Sequence, residues 1–302
     1  MKRLVLFFSF FILISSSFAQ NARFDSLVQK GISEIYNIKF DAAGATFRTV
    51  MSDYPAHPAG RFFLAMIDWW KIMLDVDNEA YDEIFFAKLE DVIYQCDQIL
   101  EKDPSNVDAL FFKGGAIGFR GRLRAFRESW LKAADDGREA LPIVHRAYKL
   151  NPDNIDVQLG FGIYNYYASV IPQKYPLVKP LMLFFPSGDK EKGIKELSDV
   201  AVRGKYARTE SRYFLMQLYY QFEENFTMAE QYAQQLNSEY PDNPVFQRYL
   251  GRIKVKRGDY FSASSIFGNV YAKALKNFPG YSNVSKREAS YYLGYYNKLK
   301  GQ

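Results

Sequence analysis

The sequence predicts an all-α fold: a right-handed solenoid of stacked helix hairpins, closed by a C-terminal capping helix. Three observations carry this. Phe226 and Tyr260 lie 34 positions apart, as do Ala229 and Ala263, and each alanine is followed four residues on by an apolar residue, Ala233 or Phe267. The punctuation Pro-x-Asn recurs at Pro104-x-Asn106, Pro152-x-Asn154 and Pro241-x-Asn243. Between these marks apolar residues follow helical spacing, as in Phe85, Leu89, Val92, Cys96 and Ile99. One hairpin cannot bury its apolar face alone, so several must stack.

In chain order, Lys2 and Arg3 precede an apolar run, Leu4 to Ile14, and a small-x-small site, Ser17-Phe18-Ala19. This is the pattern of a signal peptide over residues 1–19, and its apolar run is shorter than a bilayer requires. No Cys follows Ala19, so no lipid attachment is expected there. Residues 20–302 then read as one solenoid. The first unit, 24–57, carries Leu27 and Gly31 on one helix and Phe40, Ala43 and Phe47 on the next, ended by Pro55. These are the Gly, aromatic, A-x3-F and Pro places of the tetratricopeptide repeat (TPR), whose period is about 34 residues.

The unit 58–105 opens at Pro58, a favoured first helical position. It breaks at Asp75-Val76-Asp77-Asn78, and its second helix buries Cys96 as a core residue. The unit 106–154 holds Gly114, Gly115, Gly118 and Gly121, read as close helix packing, and ends with Ala140, Val144 and Ala147 on one face. From Pro55 to Pro104 is 49 positions and from Pro104 to Pro152 is 48, so these hairpins are lengthened. The unit 155–204 is irregular: a helix at Gln158–Tyr167, a segment broken by Pro172, Pro176, Pro180 and Pro186, and a helix opened by Gly188-Asp189-Lys190. The regular units 210–243 and 244–277 follow, and a helix over 285–299 caps the array.

A formal charge of +5, two units of it from Lys2 and Arg3, leaves +3 on the mature chain, too mild to imply nucleic acid. One cysteine excludes an intramolecular disulfide, and with only His57 and His145 it excludes a His/Cys zinc cluster. There is no G-x-S-x-G, Walker A or H-E-x-x-H pattern. His57 is expected as a helix cap and His145 as a surface residue. No cofactor and no metal are expected, and the chain is not expected to be an enzyme.

The whole resembles an exported bacterial TPR protein. The middle is similar to the eukaryotic tetratricopeptide repeat protein 39 and mitochondrial inclusion-body-clearance family. It carries Leu159-Gly160-x-Gly162-x3-Asn165, Ser169-x2-Pro172 and Gly188-Asp189, then Gly193-x3-Leu197. Lys190 stands where that family has Arg, and the signal peptide departs from its intracellular setting. The resemblance implies an interaction role and no enzymatic residues.

Two sets of residues are candidates for partner binding. Arg120, Arg124 and Arg127 share one helical face and suit a carboxylate or phosphate; ion pairing with Glu128, Asp135 or Asp136 is the competing reading. Tyr164, Asn165 and Tyr167 belong to the tyrosine-rich first helices that line the concave face of such solenoids. The expected function is a non-catalytic scaffold of the bacterial cell envelope, binding a peptide segment or protein on that face. One alternative is a small-molecule binder or enzyme with a pocket near 155–190. Another is a peripheral outer-membrane assembly factor with Leu177–Phe185 at the lipid, although that stretch lacks an amphipathic pattern. The chain is expected to be exported: periplasmic, outer-membrane-associated or secreted.

Overall fold

Local sequence sets each helix, and its capping residues show how. In the computed structural model, which describes residues 22–176, 179 and 185–301, every regular element is a helix. The expected leader over 1–19 lies outside the described residues, as does the segment Leu177–Phe185 apart from Lys179 and Phe185. The helices are α1 (22–36), α2 (Phe40–Asp53), α3 (Ala59–Leu74), α4 (Asp82–Lys102), α5 (Val107–Phe126) and α6 (Trp130–Leu150). A 3-10 turn at Ile155–Val157 leads into α7 (Gln158–Lys174). Then come α8 (Lys190–Arg203), α9 (Arg208–Gln221), α10 (Phe226–Glu239), α11 (Pro244–Lys256), α12 (Tyr260–Leu275) and α13 (Asn283–Leu299). From α2 onward each helix packs on its successor, which makes the chain a TPR-like α-solenoid.

The side chains of Asn106, Asp189, Asn225, Asn243, Asp259 and Ser282 accept backbone N–H groups at the starts of their helices. His57 Nδ1 accepts the Ala59 N–H at 3.2 Å, so it does act as a cap. Asn154 makes no such bond. Beside it, the buried Asp156 carboxylate accepts the N–H groups of Lys205, Tyr206 and Ala207 at 2.8 to 3.1 Å, serving the start of α9 from a distant part of the chain. A second departure is Pro172: it lies inside α7, in its last turn, and the helix runs on to Lys174.

Within a hairpin, a small residue on the first helix admits an aromatic of the second. A Cβ on Gly31 would run into the Phe47 ring, and one on Gly251 would stand 2.7 Å from the Phe267 ring. Between α7 and α8 the helices approach so closely that a Cβ on Gly193 would meet the Tyr166 backbone nitrogen at 2.6 Å and the Gly162 carbonyl at 2.8 Å. The glycine motif of the middle segment is therefore a packing requirement. Cys96 is fully buried on α4 with Phe85, Leu89 and Val92, and burial pushes its thiol pKa up to about 12.

The solenoid closes on itself. Tyr36 at the end of α1 packs on Trp70 (α3), Tyr240 (end of α10) and Phe246 (α11) at 4.9, 5.2 and 6.2 Å between ring centres. Trp70 in turn meets Tyr213 (α9) and Phe246. The turn after α1, with Ile38 at φ 61°, packs against Gly280 at φ 81° in the loop before α13. First helices that would line an open concave face thus bury one another across it.

Candidate functional site

Of the three arginines predicted on one helical face, Arg120 and Arg124 share a face of α5 and Arg127 follows its last residue, and all three reach toward the neighbouring helices. Arg120 binds Glu90, Asp136 and Glu139 at 2.7 to 2.9 Å. Arg124 binds Asp136 at 2.7 Å, and Arg127 binds Asp82 at 2.5 Å and the Val76 carbonyl at 2.6 Å. Burial works against the Arg120 charge, but Glu90 and Asp136 outweigh it and raise its pKa. These arginines fasten α5 to α4 and α6. Of the carboxylates weighed as partners, Asp136 takes two of them and Asp135 pairs with Arg138 instead.

Tyr164 donates its hydroxyl to the Pro186 carbonyl at 2.5 Å, and Asn165 donates to Glu196 at 2.7 Å, so both tie α7 to the segment leading into and along α8. Tyr167 lies half-buried against Phe222 and Phe214, and burial lifts its hydroxyl pKa to about 12. His145 is exposed with its ring on Phe161. Among the described residues no group of three or more His, Cys, Asp and Glu side chains is placed to hold a metal. A polar cavity of about 110 Å³ lies at the closure, lined by Gln29, Ser33, Lys205, Arg208, Thr209 and Glu239. That is room for a few waters, well below the ~300 Å³ at which small-molecule sites begin.

The concave face is organised by Arg122, which the helical spacing of the other three arginines passes over. Phe119, Arg122 and Phe126 are spaced i, i+3, i+7, a second stripe on α5 and the signal that could have found it. The Arg122 guanidinium lies 4.2 Å over Phe214, 4.7 Å over Trp69 and 5.8 Å from Phe126. It pairs with the buried Glu210 carboxylate at 2.6 Å and reaches Gln217 at 3.4 Å. Tyr36 donates to the other oxygen of Glu210. Gln217 donates to Tyr213 and Tyr249, and Gln221 also donates to Tyr249. One polar chain thus runs from the closed interior at Tyr36 to the surface at Gln221.

Around that chain the exposure changes. Tyr36, Trp70, Tyr213 and Phe246 are buried, Arg122, Tyr167 and Gln217 are half-buried, and Phe126 and Gln221 are exposed. Gly114 and Gly121 face α6, where added Cβ atoms would meet Val144 and Asp136 at 2.8 and 3.0 Å. Gly118, one turn before Arg122, is exposed, and a Cβ there would have nothing among the described residues within 4 Å. Among the described residues, the less covered part of the concave face is this surface on α5, α7 and α9.

No protein-family model matches the chain, and no curated protein matches it. Among solved structures it is similar to a tetratricopeptide repeat protein from Parabacteroides merdae, with 15% identity over 91% of this chain and 92% of that one, at a TM-score of 0.36. It is also similar to a human IFIT1 dimer with PPP-AAAA, with 14% identity over 88% of this chain and 65% of that one, at a TM-score of 0.38.

Proposed function

We propose that the protein is an exported, non-catalytic binding module of the cell envelope that holds a segment of a partner protein on the open part of its concave face. The export follows from the signal pattern over residues 1–19. The observation that carries the binding site is the placement of Arg122. Its closed side is filled by the protein's own aromatic residues, and its other side presents the exposed Phe126 and Gln221 with the half-buried Tyr167 and Gln217, where among the described residues nothing covers Gly118. Aromatic faces take apolar side chains, and the Gln221 amide, with one N–H given to Tyr249 and one left over, takes the backbone of an extended segment. Ordering of these groups by Glu210 and Tyr249 lowers the entropic cost of binding.

A photo-crosslinking residue placed at Gln221 in the native cell tests this, with Tyr94 on α4, 65% exposed, as the comparison site. A protein adduct of defined mass at position 221 and none at position 94 is the expected result. Adducts at 94 alone, or none at 221, would remove the concave face from consideration.

A further inference from the structure

Helix α13 carries the mark of a first helix of a hairpin, and among the described residues no second helix lies against that mark. Leu293-Gly294 repeats Leu250-Gly251 of α11. At Gly251, as at Gly31, the absent Cβ makes room for an aromatic ring of the following helix. At Gly294 nothing among the described residues comes within 4 Å. Only proline is less favourable than glycine inside a helix, so an exposed mid-helix glycine is a cost that no packing contact among the described residues offsets.

The surroundings of Gly294 say what would fit. Arg287, Ser290, Tyr291, Gly294 and Lys298 fall at helical spacing on one stripe, and all are exposed, with Tyr295 and Leu299 exposed at its edge. The one carboxylate of α13, Glu288, is occupied by Arg248 and Arg252. Lys286, Arg287 and Lys298 have no carboxylate partner among the described residues. The face is basic and aromatic around a bare backbone. A second copy of α13 would bring like charges together, which disfavours self-pairing.

We propose that this face of α13 docks an acidic amphipathic helix of a partner protein, with an aromatic side chain seated on Gly294 as Phe267 is seated on Gly251. The acidic flank of that helix would lie along Arg287 and Lys298. This surface is separate from the one around Arg122, so either can fail without the other.

The probe is a synthetic helical peptide that keeps the contact residues of α12, Ala263, Phe267 and Val270, at their native spacing, with Glu at its outward positions. Fluorescence anisotropy against the whole protein should show saturable binding. It should weaken at least about tenfold when the peptide's Phe becomes Ala, as an anchor residue does. Gly294→Leu in the protein should weaken it equally, and Arg287→Glu with Lys298→Glu should weaken it further and remove its salt dependence. Because nothing among the described residues stands within 4 Å of a Cβ at Gly294, the Leu variant keeps its fold, which its unfolding curve verifies. Equal binding of the Phe and Ala peptides, or no loss in Gly294→Leu, overturns the proposal. So does concentration-dependent dimerisation of the protein that Gly294→Leu abolishes, because that would assign the face to a second copy.

Discussion

The Asn243 side-chain amide donates to the Tyr36 backbone carbonyl at 2.9 Å, joining positions 207 apart in the sequence. Its other atom, Oδ1, accepts the N–H groups of Val245 and Phe246 and so caps α11. One fully buried side chain therefore starts a helix of the sixth hairpin and satisfies the open end of α1.

Replacing it should cost both roles. Asn243→Ala loses a helix cap and leaves a buried carbonyl unpaired, an expected destabilisation of about 2–4 kcal/mol. Asn106→Ala, where the side chain only caps α5 through the Ala109 N–H, should cost about 1 kcal/mol. Urea unfolding of both variants measures the difference. Equal losses would mean that the bond to Tyr36 adds nothing.

The glycines should respond with opposite signs. Gly31→Ala pushes a methyl against the Phe47 ring in a filled core, an expected loss of about 1–3 kcal/mol. Gly294→Ala meets nothing among the described residues and gains helix propensity, an expected stabilisation of up to about 1 kcal/mol. Thermal unfolding of the pair decides, and a stabilised Gly31→Ala would contradict the packing described.

Arg122 is the partner of a buried carboxylate, with side-chain exposures of 14% and 7% for Arg122 and Glu210. Arg122→Met should therefore destabilise by about 3–5 kcal/mol, since the Glu210 charge is left without compensation. Adding Glu210→Gln should restore much of the loss. A double mutant no more stable than Arg122→Met would show that the pairing is not what holds the two helices.

How much of this was legible in the sequence differs by level. The hairpin architecture was legible because a 34-residue step and the Ala-x3-apolar pairs repeat locally. The shared face of Arg120, Arg124 and Arg127 was legible from spacing. Pairing with Asp136 was among the readings that spacing allowed, but the pairs with Glu90 and Asp82 were not, because they depend on where α4 lies in space. Arg122 was passed over for the same reason: its meaning comes from Glu210, 88 positions away. The helix runs through Pro172 to Lys174 against its local signal, since proline favours a first turn and here sits in a last one. Closure had no local signature, since Tyr36, Trp70 and Phe246 each read as ordinary core residues.

Acid should act through Glu288. Burial alone would raise its pKa, but Arg252 and Arg248, at 2.5 and 2.6 Å, outweigh it and hold it below the ordinary glutamate value of 4.5. A carboxylate with a lowered folded pKa contributes stability above its unfolded value and loses it as pH falls through the folded one. The stability difference between the wild type and Glu288→Gln should therefore be largest at neutral pH and shrink as pH falls below about 4.5. Urea unfolding at pH 7 and about pH 3 tests the sign, and a pH-independent difference would refute it.

The Cys96 thiol, fully buried and with a pKa near 12, should stay unreactive to an alkylating agent in the folded protein and react at once in urea. Mass spectrometry after brief alkylation reads this directly. Fast labelling of the native chain would place the thiol outside the core.

Closure decides which part of the concave face remains for a partner, and it makes one contact that chemistry can report. Lys205 Nζ lies 2.6 Å from Asp25 Oδ1, joining the loop before α9 to the start of α1. A carbodiimide, which joins an amine only to a carboxylate it already touches, should link Lys205 to Asp25 within a single chain. Lys254 and Glu230, 2.8 Å apart on neighbouring helices, serve as the internal control. A Lys205–Asp25 peptide pair in the native monomer that disappears in urea is the result the closed solenoid requires. Its absence while the Lys254–Glu230 pair forms would mean that the solenoid stands open.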